Sequence, residues 1–341
     1  MVEGYLKNPI SSGHYPEKNQ PGQRLKWIFS LLKITIGLGL IILLIISGRL
    51  NLGVIFIVYR HPAYFIAGIL CCIGAFLLPI YRWWILARIQ KLPVGGFDAL
   101  RLTMIGYFFN TFIPGSSGGD IIRAAYTIKS CSEKKPHVLT VAFADRSLGL
   151  HALLIISAAA MLMQPALLSH VPGIQRWTGM ITGLIIAGIV VPFWFLRKGA
   201  DSIVIRLCGK IVGGAEAWHN ALQLYRQQPG MVCLAYLCSV ANVMFSIFLI
   251  HFMMLAGGAN PGVIESLVVA PLVILVNSLP ITPGGLGIAE AASASLYNLV
   301  GQAGGANGMI LARLIIIMFS LMGLPFFLLN KRSSHTLVKR S

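Results

Sequence analysis

Hydrophobic positions fall along this chain in long unbroken runs, not with the spacing of an amphipathic helix or an alternating strand. Runs from Trp27 to Ser47, Ala63 to Ile80, Val138 to Met163, Gly179 to Leu196, Met231 to Ala256 and Asn307 to Leu329 are close to the roughly 20 residues that carry a helix across about 30 Å of hydrocarbon. They predict six membrane spans; the first is too long for a signal-peptide core. Two further apolar stretches, 97–129 and 263–300, are interrupted by Ile113-Pro-Gly-Ser-Ser-Gly-Gly-Asp120 and by Leu279-Pro-Ile-Thr-Pro-Gly-Gly-Leu286. Such stretches predict broken, re-entrant helical hairpins, which survive at membrane depth only where protein or water satisfies the freed backbone groups. The expected fold is an all-α polytopic membrane protein with about six full transmembrane helices and two such hairpins. A flexible cytoplasmic tail is expected over 1–26, a single transmembrane domain over 27–330, and a basic cytoplasmic tail over 331–341.

Charge then sets the orientation. Of the 341 residues 56% are hydrophobic and 11% charged, with 27 Lys and Arg against 10 Asp and Glu. In so apolar a chain the basic excess reads first through the positive-inside rule, so nucleic acid is not the expected partner. Basic residues cluster before the first span, at Arg82/Arg88/Lys91, at Lys129/Lys134/Lys135, from Arg197 to Arg226, and after the last span, whereas the alternate loops hold only Arg49, Arg60 and Arg176. The expectation is a multi-pass plasma (inner) membrane protein with both termini cytoplasmic. Residues 201–226 are expected to form an amphipathic helix at the cytoplasmic headgroups or a solvated linker. The six cysteines form no CxxC pair and are expected as free, buried thiols.

On this layout the two hairpins enter from opposite sides. Asn110 is followed by Pro114, Gly118-Gly119 and Arg123, and Asn277 by Pro283, Gly284-Gly285 and Glu290, in the same order with one residue of slippage. Arg146 and Arg313 each lie in the span that follows. Two spans precede each hairpin and one follows it, which predicts an inverted repeat, one copy over about 27–164 and the other over about 175–330. Repeats of this kind in secondary transporters place their site where broken-helix ends converge near the midplane.

Ionisable residues inside the apolar stretches mark the candidate site, because each costs about 2.5 to 3.5 kcal/mol or more to insert. The candidate substrate-binding residues are Asn110, Pro114, Ser117, Gly118, Gly119, Asp120, Arg123, Asp145 and Arg146 in the first half. In the second they are Asn277, Thr282, Pro283, Gly284, Gly285, Glu290 and Arg313. Ser117 to Asp120 fits a plain capping box, and it equally fits a glycine-rich cradle for a phosphate at a helix N-terminus. The arginines fit charge pairing that locks the bundle, Asp145 with Arg123 and Glu290 with Arg146 or Arg313, and they equally fit anion binding. No phosphate-binding GxxxxGK[ST] motif, no HExxH and no dense ligand cluster occurs in the sequence. Neither a catalytic constellation, a cofactor nor a metal is expected.

The stretch from Gly106 to Arg123, Ala144-Asp-Arg146, and the stretch from Asn277 to Glu290 together resemble the flippase-like integral membrane family that includes the transmembrane region of lysylphosphatidylglycerol synthase, the multiple peptide resistance factor. The resemblance implies a flippase or transporter that moves a polar, phosphate-bearing lipid between leaflets. A membrane lipid as substrate is the expected partner, with a homo-oligomer or a lipid-synthesis partner as further options. The chain ends about a dozen residues after the last span, so no soluble aminoacyl-transfer domain, and no synthesis of the aminoacylated lipid, is expected of it. A membrane enzyme of lipid-linked sugar transfer and a non-transporting accessory subunit remain as alternatives.

Overall fold

The computed structural model describes residues 60–112, 118–131, 134–163, 215–279, 285 and 287–329, besides the isolated residues 179 and 183. All of them belong to one compact unit, Leu50–Ser341. The expected span 27–47, nearly all of 179–196, both tails, and the candidate residues Pro114, Ser117, Thr282, Pro283 and Gly284 lie outside the described residues.

The described elements are helical: α1 (Pro62–Ile89), α2 (Gly96–Phe112), α3 (Gly118–Ser130), α4 (Lys135–Met163), α5 (Ala215–Gln227), α6 (Pro229–Ala256), α7 (Val263–Ser278), α8 (Ile288–Leu299) and α9 (Gly305–Leu321). Helical residues resume at 323–329 beyond α9. Four of these helices, at 62–89, 135–162, 229–256 and 305–329, are long and apolar enough to cross a membrane. The helix pairs α2–α3 and α7–α8 are the two interrupted hairpins. The chain is thus an all-α polytopic membrane protein.

Both α1 and α6 begin on a proline in the first turn, where the missing N–H would have no intrahelical partner in any case. Each has 28 residues and so reaches roughly 42 Å, at 1.5 Å per residue. The sequence pattern ends the α1 span at Ile80, yet the helix continues to Ile89 because Arg82, taken as a loop charge, is buried inside the bundle.

The two helices form the most extensive helix–helix contact among the described elements, and they run antiparallel. Gly68 of α1 lies against Met253, Gly74 against the Phe245 ring, and Arg82 against Ser239. Between these contacts the Asn242 amide donates to the carbonyl of Ala75 at 2.8 Å. Lipid tails are as apolar as Leu, so helices in a membrane associate through close packing and interhelical hydrogen bonds, and small residues permit the approach. Gly68 and Gly74 serve that purpose here.

One interval relates the two halves. Pro62 and Pro229, Gly96 and Val263, Asn110 and Asn277, Gly118 and Gly285, and Arg146 and Arg313 are all 167 positions apart. Ala75 and Asn242, hydrogen-bonded to each other, are separated by the same 167. The expected one-residue slippage is therefore unnecessary: Gly118, not Gly119, is the counterpart of Gly285. Because the equivalent helices α1 and α6 are antiparallel, the repeat is inverted.

Between 215 and 227 the stretch expected at the headgroups is the helix α5, and its apolar side is committed to protein. Ala221 and Tyr225 are buried in a core with residues of α1, α4 and α6, and Gln90 donates to the Ala221 carbonyl at 2.7 Å. Of the cysteines described, Cys71, Cys72, Cys131 and Cys238 are free and buried as expected, while Cys233 is free and exposed.

Candidate functional site

The first hairpin is closed by glycine. The Gly119 N–H donates to Asn110 Oδ1 at 2.6 Å, and a Cβ on Gly119 would fall on the carbonyl of Gly106. Only a residue without a side chain lets α3 lie this close to α2. Asp120 follows on the first turn of α3 and Arg123 on the second.

Around Arg123 the polar groups form a continuous network. Its guanidinium donates to Asp145 Oδ2 at 2.7 Å and to Asp120 Oδ1 at 3.1 Å, and approaches Thr103 Oγ1 at 3.4 Å. Its Cζ lies over the Trp83 ring, 3.8 Å from the ring centre, a cation–π contact. The second oxygen of Asp145 accepts from Arg82 Nε at 2.6 Å. Arg82 also donates to Ser239 Oγ at 2.9 Å, and that hydroxyl donates onward to the Ala235 carbonyl at 3.1 Å. Asp120 pairs in addition with Arg146, whose side chain is 44% exposed. Three cations share two carboxylates across α1, α3 and α4, with α6 tied in through Ser239.

The second hairpin uses fewer charges. Glu290, the third residue of α8, accepts from the Gly287 N–H at 2.7 Å and is ion-paired with Arg313 of α9. Arg313 also donates to the Gly285 carbonyl at 3.0 Å and to Asn277 Oδ1 at 3.3 Å. Gly285 has φ of +70°, a left-handed conformation that glycine adopts without the Cβ clash of other residues. One arginine thus holds the end of α7, the turn and the start of α8 together.

Of the pairings expected for the arginines, the geometry contains Asp145 with Arg123, and Glu290 with Arg313, while Arg146 pairs with Asp120. The sequence reading missed Arg82, placed with Arg88 and Lys91 as a loop charge. Its first signal is position, since a cation seven residues before the last residue of α1 stands beside Trp83 and Trp84 in a largely apolar stretch. Trp83, Thr103 and Ser239 carried no such signal.

A cavity of about 280 Å³ opens between the halves. Asn110 and Thr111 at the end of α2, Asn277 of α7, Arg313 and Ser320 of the last span, and Ser246 of α6 supply its polar wall. Cys72, Phe76, Tyr107, Leu249 and Ile250 are among the rest of its lining. Of the candidate residues described, Asn110, Asn277 and Arg313 meet at this cavity, whereas Asp120, Arg123, Asp145 and Arg146 form the separate network and do not line it. Gly118, Gly119, Gly285 and Glu290 hold the hairpins that present the lining residues. Among the described residues no group of three His, Cys, Asp or Glu is disposed to hold a metal ion.

The family model described as the lysylphosphatidylglycerol synthase TM region matches residues 30–323. The chain belongs to that family. Neither a curated protein nor a solved structure matches it significantly. The match spans both hairpins and every described helix except the last residues beyond 323, so the two polar networks and the cavity all lie within the matched residues.

Proposed function

We propose that this member of the lysylphosphatidylglycerol synthase transmembrane family is a lipid flippase or transporter, moving a polar, phosphate-bearing lipid between the leaflets of the plasma membrane. The observation that carries the reading is the cavity in which Asn110 and Asn277, equivalent residues of two inverted halves, meet beside Arg313. Inverted repeats with broken helices at a shared central site are the architecture of alternating access, in which one half rocks against the other around the site. At about 280 Å³ the cavity falls just below the roughly 300–1,000 Å³ of small-molecule pockets, a size for a headgroup with its acyl chains left in the bilayer. Asn110, Asn277 and Arg313 contact the headgroup. Asp120, Arg123, Asp145 and Arg146 hold the first hairpin in place, and Gly118, Gly119, Gly285 and Glu290 shape the two turns. Both termini face the cytoplasm, an orientation supported by Arg88, Lys91, Lys129, Lys134 and Lys135 at one set of helix ends.

Leaflet exchange of labelled phospholipids in proteoliposomes holding only this protein tests the reading, with lipid masses recorded at the end. Exchange above that of protein-free vesicles, with every lipid mass unchanged, is the expected result. A lipid of altered mass without exchange would replace transport by transfer chemistry. Absence of both from a folded, correctly inserted protein would overturn autonomous transport.

A further inference from the structure

The cavity wall has a chemical polarity of its own. Asn110 Oδ1 is engaged by the Gly119 N–H, and Asn277 Oδ1 by the Arg313 guanidinium. Both engaging groups are donors, so the atom they meet is the amide oxygen, and the other branch of each side chain is the NH₂. Neither NH₂ has a hydrogen-bond partner among the described residues. The remaining polar lining is hydroxyl, from Tyr107, Thr111, Ser246 and Ser320, together with the Cys72 thiol and Arg313; no Asp, Glu, Lys or His lines the cavity among the described residues. Tyr107, Thr111 and Ser246 direct their own hydroxyl protons to the Phe76, Tyr107 and Asn242 carbonyls.

We infer that this cavity selects phosphate or phosphodiester oxygens and rejects a headgroup that carries a cation, with the Asn110 and Asn277 amides, one from each half, as the specificity-determining donors. An anionic oxygen meets two amide donors beside the guanidinium that Glu290 also pairs; among the described lining residues an ammonium meets no carboxylate and would be desolvated without a counter-charge. The inference rests on the transport reading for its lipid source, but the recognition chemistry applies equally to a soluble phosphate monoester, so the test separates the two.

Purified protein is titrated with phosphatidylglycerol, with lysylphosphatidylglycerol and with glycerol 3-phosphate, bound ligand being read by native mass spectrometry. The expected result is at least tenfold tighter retention of phosphatidylglycerol than of its lysyl ester, with glycerol 3-phosphate a poor competitor. Equal or tighter retention of the lysyl ester, or no retention of any of the three, would overturn the inference. Displacement by equimolar glycerol 3-phosphate would keep the donor site and remove the lipid as its ligand. Asn110→Asp and Asn277→Asp preserve the oxygen that serves the hairpin and replace only the NH₂. Each is expected to weaken phosphatidylglycerol about tenfold, the loss of one good hydrogen bond to an anion, and to bring the lysyl ester level with it. An unchanged ratio in both would show the asparagines to be structural only and overturn their role. Preferential binding without leaflet exchange would leave this inference standing and remove transport; exchange without preference would do the reverse.

Discussion

The two hairpins solve one problem with different charge arithmetic. At equivalent positions the first has Arg123 and Arg146, and the second has Glu290 and Arg313. The second can therefore pair its own two residues. In the first, two like charges face the same space, and Asp120 and Asp145 are recruited to separate them, Asp145 drawing in Arg82 from α1. The outcome is mechanical as well as electrostatic. The first hairpin is tied through charged side chains to α1 and α4, and through Arg82 to Ser239 of α6, whereas the second is tied to α9 by a single arginine that also borders the cavity. One half reads as the anchored side and the other as the side whose geometry is set at the cavity itself.

The heaviest blow to this contrast is Asp145→Ala. It leaves Arg82 without its carboxylate and Arg123 with Asp120 alone, both arginines being under 10% exposed, and removing one member of a buried ion pair costs about 3–5 kcal/mol. Loss of monodisperse protein, or a large fall in thermal midpoint in detergent, is expected. A midpoint within a degree or two of the parent would show that the network does not anchor the hairpin.

Glu290→Gln is the matched change in the second half. It keeps the shape and a carbonyl oxygen for the Gly287 N–H, and removes the charge from one ion pair instead of two. A loss of about 1.5–3 kcal/mol, the range for hydrogen bonds to charged groups, is expected from thermal unfolding. A larger loss than that of Asp145→Ala would invert the assignment of the anchored side.

Gly119→Ala tests the close approach of α2 and α3 without touching a charge. The new methyl meets the backbone carbonyl of Gly106, which cannot rotate away as a side chain would, so the helices must separate. Overpacking of this kind costs about 1–3 kcal/mol, read in the same unfolding measurement. Gly118→Ala in the same turn is the control for helix propensity.

Much of this was legible in the chain. The Pro and Gly clusters located both hairpins because a membrane helix has no other reason to carry them in pairs, and Asn110 and Asn277 stood out by their matching place before each break. The slippage was misread because Gly118-Gly119 offers two glycines for one counterpart, and only the common interval from Pro62/Pro229 to Arg146/Arg313 resolves which is which. Arg82 was misread for a different reason. Its neighbours Arg88 and Lys91 make it part of a basic cluster, and nothing local reveals that Asp145, 63 residues away, draws it into the bundle. Long-range pairing between ionisable residues has no periodicity, so pattern alone cannot assign it. The same holds for the division of labour between Arg146 and Arg313, which sequence order treats alike and only the cavity wall separates.

The smallest expected effect makes the sharpest comparison, because it concerns equivalent arginines. Arg146 and Arg313 occupy the same place in their repeats, yet the Arg146 side chain is 44% exposed and the Arg313 side chain 11%. An exposed ion pair contributes about 1 kcal/mol or less, so Arg146→Gln should shift the thermal midpoint only slightly. Asp120, released from it, keeps its contact with Arg123 at 3.1 Å. Arg313→Gln removes a guanidinium that bonds Glu290, the Gly285 carbonyl and Asn277 together, so it should destabilise more and also weaken phosphatidylglycerol retention, which Arg146→Gln should leave unchanged. Measuring midpoint and retention on both variants gives two readouts that move together at one arginine and not at the other. Equal effects at the two sites would mean that the halves are functionally symmetric, and that the difference in their wiring serves folding alone.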